Sequence, residues 1–190
     1  MNEIEVKAIL RDKEKVLEFI KNSGAVLLDN KYQKDLVFWP EGITNINDGI
    51  KLLGINYLRI RKQTSDKNGG KIIFTLKQPL SNQADCKEHE VDIQEDDIEN
   101  LESIILALGY YEYCIIEKNR ETYKFGDIEI CLDDVTGLGS YIELEKFGTS
   151  EETERIQKEL STLLESMGVN KEDLTFDGYD ILLRKAKDNL

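Results

Sequence analysis

Apolar and polar residues alternate with a period of two along much of the chain, which is the pattern of half-buried β-strands. This alternation, together with β-forming residues, predicts about eight strands, at residues 2–10, 25–39, 56–63, 71–78, 86–94, 112–124, 127–133 and 140–147. The segment KNGG at 67–70 is a strong hairpin signal between two of these strands. The sequence therefore predicts a mostly antiparallel sheet.

Other segments carry apolar residues at helical spacing. They predict helices at residues 12–23, 95–108 and 150–168, and a short helical tail at 178–187. Asp12 and Gly24 are suited to cap the first helix, and Thr149 with Glu152 could form a capping box for the third. Residues 40–55, rich in Gly and Asn, are predicted to form a loop. These elements indicate an α+β fold whose sheet could close into a barrel, as a single domain over residues 1–190.

Charged side chains on the second face of these strands are grouped by sign, since residues at i, i+2 and i+4 share a face. The acidic groups are Glu3 and Glu5, followed on that face by Lys7; Glu88, Glu90 and Asp92; Glu129 and Asp133; and Glu143 and Glu145. The basic groups are Arg59 and Arg61; Lys71 and Lys77; and Lys118, Arg120 and Lys124.

A simple interpretation is a soluble α+β domain whose charged face meets water. Two features weaken that interpretation for the set as a whole. A solubilising surface usually mixes the two signs, and like charges on one strand cost free energy unless opposite charges face them. If the sheet closes with this face inward, acidic strands can lie opposite basic strands around a tunnel.

The side chains of such a tunnel define a class of ligand. Arg and Lys satisfy phosphate oxygens. Clustered carboxylates without His or Cys favour hard cations such as Mg²⁺ or Mn²⁺. The pattern therefore predicts a site for a metal-bridged phosphate chain.

Composition narrows the function further. The 190 residues carry a net charge of −13, which disfavours binding to nucleic acid or to anionic lipid, and no apolar run is long enough to span a membrane. A single histidine argues against catalytic triads and His-rich zinc sites, and three widely spaced cysteines suit a reduced protein. The N-terminus lacks the pattern of a secretory signal, so a cytoplasmic location is expected.

An ordered set of motifs resembles the CYTH superfamily, the triphosphate tunnel metalloenzymes. The motifs are ExExK at residues 3–7, LRIR at 58–61, TLK at 75–77, EHE at 88–90, KNR at 118–120 and LDDVTGLGSYIELE at 132–145. The last is similar to the LDxVxxLGxFxExE stretch of the class IV adenylate cyclase branch. EIEVKA differs from the EIERKF of the tripolyphosphatase branch, which favours a cyclase-like or thiamine-triphosphatase-like protein. The resemblance implies a closed eight-stranded antiparallel barrel with flanking helices.

The resemblance also implies roles for individual residues. Triphosphate binding is implied for Lys7, Arg59, Arg61, Lys77, Lys118 and Arg120. Divalent metal binding, with Mg²⁺ or Mn²⁺, is implied for Glu3, Glu5, Asp133, Glu143 and Glu145. Among these sets, Glu5, Lys7, Lys118 and Arg120 are the catalytic candidates. The roles of Glu88 and Glu90 stay open.

Three activities remain open at this point. The first is a class IV adenylate cyclase that converts ATP to cyclic AMP and pyrophosphate. The second is a triphosphatase acting on thiamine triphosphate or inorganic tripolyphosphate, and the third is a module that binds a nucleotide or polyphosphate without turnover. The partner is a small-molecule triphosphate in each case, and a homodimer is left open.

Three single residues that could suggest chemistry receive simpler interpretations. His89 is expected at the core or the rim, on the face that turns toward the helices, rather than as a catalytic base. Trp39 and Tyr32 are expected to pack in the protein rather than stack on a nucleotide.

Overall fold

The structure, a computed structural model, describes residues 2–42, 56–80 and 85–188. Its long strands are β1 (Asn2–Ile9), β2 (Val26–Pro40), β3 (Tyr57–Ser65), β4 (Gly69–Pro79), β5 (Asp85–Ile93), β6 (Tyr110–Phe125), β7 (Ile128–Val135) and β8 (Gly139–Gly148). A short strand, β9, spans Leu174–Thr175. The helices are α1 (Lys13–Ser23), α2 (Ile98–Ala107), α3 (Thr153–Ser166) and α4 (Tyr179–Asp188).

The long strands form one antiparallel sheet in the order β5-β4-β3-β2-β6-β7-β8-β1. The short β9 pairs with Lys7 and Ala8, near the C-terminal end of β1. The sheet closes because β1 also pairs with β5, through Glu3 opposite Cys86 and Ile4 opposite Asp85. The closed eight-stranded barrel predicted from the resemblance is thereby confirmed.

The main hydrophobic core lies outside the barrel, between the sheet and two helices. On β1, alternation sends Ile4, Val6 and Ala8 outward, and all three are fully buried. They pack with the outward residues of β7 and β8 against α1 and α3, whose apolar stripes include Ile20 and Leu160. The inward positions of the same strands are consequently left for polar residues.

A smaller core lies under α2. Phe38, Leu58 and Ile60 point outward from β2 and β3 and pack against Ile105 of the helix. The barrel is thus stabilised by apolar layers on its outside, while its inside carries the charged face that the sequence indicated.

The predicted helices and strands are confirmed, with small differences at their ends. Asp12 caps α1 by accepting from the Lys15 amide, Gly24 ends that helix with φ of 79°, and the Thr149–Glu152 capping box is present. Sequence patterns missed β9, which contributes only two residues. Most of the predicted loop at 40–55 lies outside the described residues.

Within the described ranges, no helix combines the length and the apolar character that crossing a bilayer requires.

The core between α3 and the barrel should dominate stability. Leu160 is fully buried there, so Leu160→Ala leaves a cavity and is expected to lower the free energy of unfolding by about 3 kcal/mol in urea titrations. Leu108→Ala is the matched control, because Leu108 is 68% exposed and should cost less than about 0.5 kcal/mol. Equal losses for the two variants would contradict this description of the core.

Candidate active site in the barrel interior

The barrel encloses a cavity of about 490 Å³, within the range typical of small-molecule sites. Its walls are the inward residues of all eight long strands, at the alternate positions that the sequence pattern assigned to one face. All six predicted phosphate-binding residues line it. Lys7 and Lys118 lie deepest, and each is almost fully buried. Of the five predicted metal ligands, Glu3, Glu5, Glu143 and Glu145 line the cavity, and Asp133 lies buried behind it.

One end of the cavity is closed by the first turn of α4. The Tyr179 ring packs edge-on against Tyr141, with ring centroids 5.3 Å apart, and its hydroxyl donates to Asp133 Oδ2 at 2.9 Å. Beside it, Trp39 Nε1 donates to Asp180 Oδ2 at 3.1 Å. These contacts anchor the helix in the barrel, whereas Phe147, a lining residue at the opposite ends of the strands, is exposed.

Arg120 is held by three carboxylates. Its guanidinium donates to both oxygens of Asp133, at 2.7 and 2.6 Å, to Glu143, and to Glu145 Oε1 at 3.1 Å. Lys118 shares Asp133 with it, at 2.8 Å. This network fixes the orientation of two buried cations that face the cavity.

Lys7 and Lys118 differ in their electrostatic surroundings. Burial lowers the pKa of both ammonium groups. For Lys7, the carboxylates of Glu143 and Glu5 outweigh burial and raise the pKa above its ordinary value. For Lys118, the neighbouring Arg120 adds to burial, and the pKa falls below its ordinary value. Both ammonium groups also lie over the Tyr179 ring, at 4.4 and 4.7 Å from its centroid.

The remaining cations lie on β3 and β4. Arg61 forms a two-point pair with Asp35, at 2.6 and 2.7 Å. Arg59 donates to Thr75, at 3.1 Å, and to the two glutamates of the EHE motif. Lys77 pairs with Glu88. Glu88 and Glu90 therefore contact cations of the site, which gives a structural role to two residues whose role the sequence left open.

Three carboxylates form a separate group at the junction of β1 and β8. Glu3, Glu5 and Glu145 each offer an oxygen within 4.8 Å of the others. Burial and the neighbouring charge of Glu145 raise the pKa of Glu3 to about 8. Glu5 and Glu145 each pair with a cation, Lys7 at 3.2 Å and Arg120 at 3.1 Å, so three carboxyl groups are crowded here with part of their charge compensated.

The five predicted metal ligands consequently fall into two groups. Glu3, Glu5 and Glu145 share one cluster, whereas Asp133 and Glu143 lie deeper and pair with Lys118, Lys7 and Arg120. The motif pattern could not separate these groups, because all five residues occupy inward strand positions.

Two site residues were missed by the sequence patterns. Asp35 lies on β2, where both faces are apolar near the closed end and the alternation is weak. Tyr179 comes from the start of α4, which no strand pattern could place inside the barrel. In sequence, neither residue carries a motif that distinguishes it.

Three other expectations have mixed outcomes. Trp39 packs as predicted, stacked on Tyr113 with centroids 4.1 Å apart. Tyr32 is 43% exposed, so it packs only in part, and it is not among the residues that line the cavity. His89 faces away from the cavity as predicted, but it is exposed and pairs with Gln78 at 3.2 Å instead of packing on a helix.

A family model for the CYTH domain matches residues 1–179. The chain belongs to the CYTH family. A Methanocaldococcus jannaschii protein named "Putative adenylate cyclase MJ0240" is 31% identical over 180 residues, which cover 94% of this chain and 97% of that protein. The family resemblance of the sequence motifs is thereby confirmed.

Solved structures share the fold over nearly the whole chain. The PH1819 protein of Pyrococcus horikoshii OT3 superposes with a TM-score of 0.77 at 24% identity, covering 96% of this chain and 99% of that one. A Hippeastrum protein described as a "putative adenylyl cyclase" with a dominant triphosphatase activity gives a TM-score of 0.61 at 18% identity, covering 97% and 96%. At these identities the likeness concerns the fold.

The Asp35–Arg61 pair should make stability depend on pH. Burial alone raises the pKa of Asp35, but Arg61 outweighs it and holds the pKa well below its ordinary value. The carboxylate therefore stabilises the fold above the unfolded pKa of about 3.9, and this contribution is lost as the pH falls below that value.

Asp35→Asn is expected to lower the free energy of unfolding by about 3 kcal/mol at pH 7, because it leaves Arg61 buried without a counter-charge. The difference from the wild-type protein should shrink toward pH 3 in urea titrations. Asp92→Asn, whose side chain is 71% exposed, is the matched control and should show little effect at any pH. A difference for Asp35→Asn that stays constant from pH 7 to pH 3 would exclude the ionised carboxylate as its cause.

Proposed function

We propose that the protein is a metal-dependent enzyme that acts on a triphosphate in the barrel, as a class IV adenylate cyclase-like enzyme converting ATP to cyclic AMP and pyrophosphate. The observation that carries this proposal is the position of the three-carboxylate cluster beside six inward cations in one barrel cavity. Membership of the CYTH family supports a small triphosphate as the substrate. The cyclase reaction is favoured by the 31% identical relative, which matches this chain along almost its whole length.

The residues of the cluster fit a divalent metal ion. All three donors are carboxylate oxygens, and they lie within 4.8 Å of one another, so they could share one cation. Oxygen donors without nitrogen or sulfur favour Mg²⁺ or Mn²⁺. When bound, such an ion would supply Lewis-acid activation of a phosphoryl group. We therefore assign Glu3, Glu5 and Glu145 as the residues that would hold it, and Asp133 and Glu143 as residues that orient the cations.

The cations are suited to bind the phosphate chain and to stabilise its charge. In the cyclase reaction the ribose 3′ oxygen forms a bond to the α-phosphorus, and the bond from that phosphorus to the bridging oxygen breaks. Lys118 and Arg120 face the cavity from a rigid network, so they would stabilise the departing pyrophosphate without reorganising. Lys7 would add a third positive charge, and Glu5, a member of the acidic cluster that accepts from Lys7, is suited to accept the hydroxyl proton.

Hydrolysis of a triphosphate is the second candidate. The same cavity could hold thiamine triphosphate or inorganic tripolyphosphate, with water in place of the ribose hydroxyl as nucleophile. This candidate is supported by the Hippeastrum protein, whose fold is shared and whose described activity is that of a triphosphatase. The products separate the two candidates directly.

The assay incubates the protein with ATP, thiamine triphosphate or tripolyphosphate, each with Mg²⁺ or Mn²⁺. We expect cyclic AMP and pyrophosphate from ATP, whereas orthophosphate would favour the triphosphatase. Glu145→Gln should reduce turnover at least about a hundredfold, because the cluster loses a charge needed for metal binding. Glu117→Gln is the matched control on the outer face of β6, where Glu117 pairs with Lys34, and it should retain activity.

Binding without any product would support the non-catalytic module. Full activity in Glu145→Gln, with a normal circular dichroism spectrum, would remove that residue from the metal site.

Arg61 should contribute directly to triphosphate binding. Arg61→Ala is expected to weaken binding of tripolyphosphate with Mg²⁺ by roughly 1.5–3 kcal/mol, the range for a hydrogen bond to a charged group, as measured by calorimetry. Arg155→Ala, on the outside of α3 with a side chain 61% exposed, is the matched control and should bind normally. Equal affinities of the two variants would place Arg61 outside the phosphate site.

A further inference from the structure

The wall of the cavity changes character away from α4. We call the residues of this part the outer wall: Gln33, Gln63, Ile73, Thr122 and Phe147, all of which line the cavity. Several of them lie one inward position beyond a charged residue of the site: Thr122 beyond Arg120 on β6, Gln63 beyond Arg61 on β3, and Phe147 beyond Glu145 on β8. Along these strands, in the direction away from α4, the charged groups of the phosphate site are thus followed by amide, hydroxyl and apolar groups.

Two polar side chains of the outer wall are buried with an atom that has no partner. Gln33 is 2% exposed and Thr122 is 3% exposed. Gln33 Nε2 donates to Gln63 Oε1 at 3.0 Å, but Gln33 Oε1 and Thr122 Oγ1 lack hydrogen bonds among the described residues. A buried polar atom without a partner costs free energy, so these two atoms mark places where a ligand group would be stabilised.

The outer wall also carries apolar surface. Ile73 is buried in it, whereas the Phe147 ring is 61% exposed although it lines the cavity. A planar or apolar ligand group could cover this ring, because bases commonly stack on aromatic side chains. Lys31, Glu90 and Glu129 also line the cavity at this level, on the solvent side.

An inorganic phosphate chain could accept from the Thr122 hydroxyl, but it would leave Gln33 Oε1 and the Phe147 ring unsatisfied. At neutral pH its outer oxygens are mainly acceptors, so it cannot donate to the amide oxygen of Gln33, and it has no surface to cover Phe147. A sugar hydroxyl or an amino group can donate, and a ring system can cover an aromatic face. The closed end offers no room for such a group, since Tyr179 and Trp39 already pack there among the described residues.

We infer that the outer wall binds the organic group of an organic triphosphate, with Gln33 and Thr122 as specificity-determining residues. The inference rests on the proposed function, because it takes the cations as the phosphate site. The phosphate chain then points its terminal phosphate toward α4, and the organic group lies at the open end beside Phe147. The acidic cluster, at Glu145, adjoins the part of the cavity where the chain meets that group.

The test compares two probes in excess Mg²⁺: α,β-methylene-ATP, which carries an organic group, and inorganic tripolyphosphate, which does not. Dissociation constants come from the rise of the melting temperature with ligand concentration. The near-isosteric variants Gln33→Met and Thr122→Val should each weaken α,β-methylene-ATP about threefold to tenfold, the range for one neutral hydrogen bond. Tripolyphosphate binding should change by less than about twofold. Thr64→Val, on the exposed outer face of β3, is the matched control and should change neither constant.

The outcomes separate the inference from the proposed function. Equal weakening of both probes would assign these residues to the phosphate chain, and unchanged binding of α,β-methylene-ATP in both variants would remove them from the site; either result overturns the inference alone. A wild-type protein that binds neither probe overturns the proposed function as well. The two substitutions lie on different strands, so if one variant melts too low to be measured, the other still decides.

Discussion

The pairing of β1 with β5 is the constraint on which the rest of the molecule depends. It converts an open sheet into a barrel, and only then do the acidic side chains of β1 and β8 lie across a common space from the cations of β3, β4 and β6. Burying so many charges is costly unless each finds a partner. Closure supplies these partners, as in the pairs of Arg120 with Asp133 and of Arg61 with Asp35.

Charge compensation between carboxylates and cations differs from one part of the cavity to another. Deep in the cavity, carboxylates and cations compensate one another through short contacts, for example between Lys7 and Glu143 at 3.0 Å. At the cluster of Glu3, Glu5 and Glu145, burial and the neighbouring charge of Glu145 raise the pKa of Glu3. If a metal cation and a polyanion bound together, the cation would compensate the crowded carboxylates. The polyanion would supply further partners to the Arg and Lys side chains.

Much of this arrangement could be predicted from the sequence, because strand alternation reports which residues share a face. From the sequence alone, that rule places Glu3 with Glu5, and Arg59 with Arg61, on one surface, and all four line the cavity. It could not tell how far along the barrel each residue lies, since depth depends on the register between strands, and so Glu143 was not distinguished from Glu145. Tyr179 shows a second limit: a side chain brought in by a terminal helix depends on tertiary packing, which local periodicity does not encode.

The position of β1 in the barrel has a consequence for how the chain is made. This strand precedes the others in the sequence, yet the long strands that flank it are β5 and β8, and β8 ends only at Gly148. Most of the polypeptide must therefore be synthesised before both edges of β1 are covered, and contacts of such long sequence separation form slowly. During that interval the nascent β1 exposes Ile4 and Val6 beside unpaired backbone, which makes this segment prone to aggregation until β8 has been made.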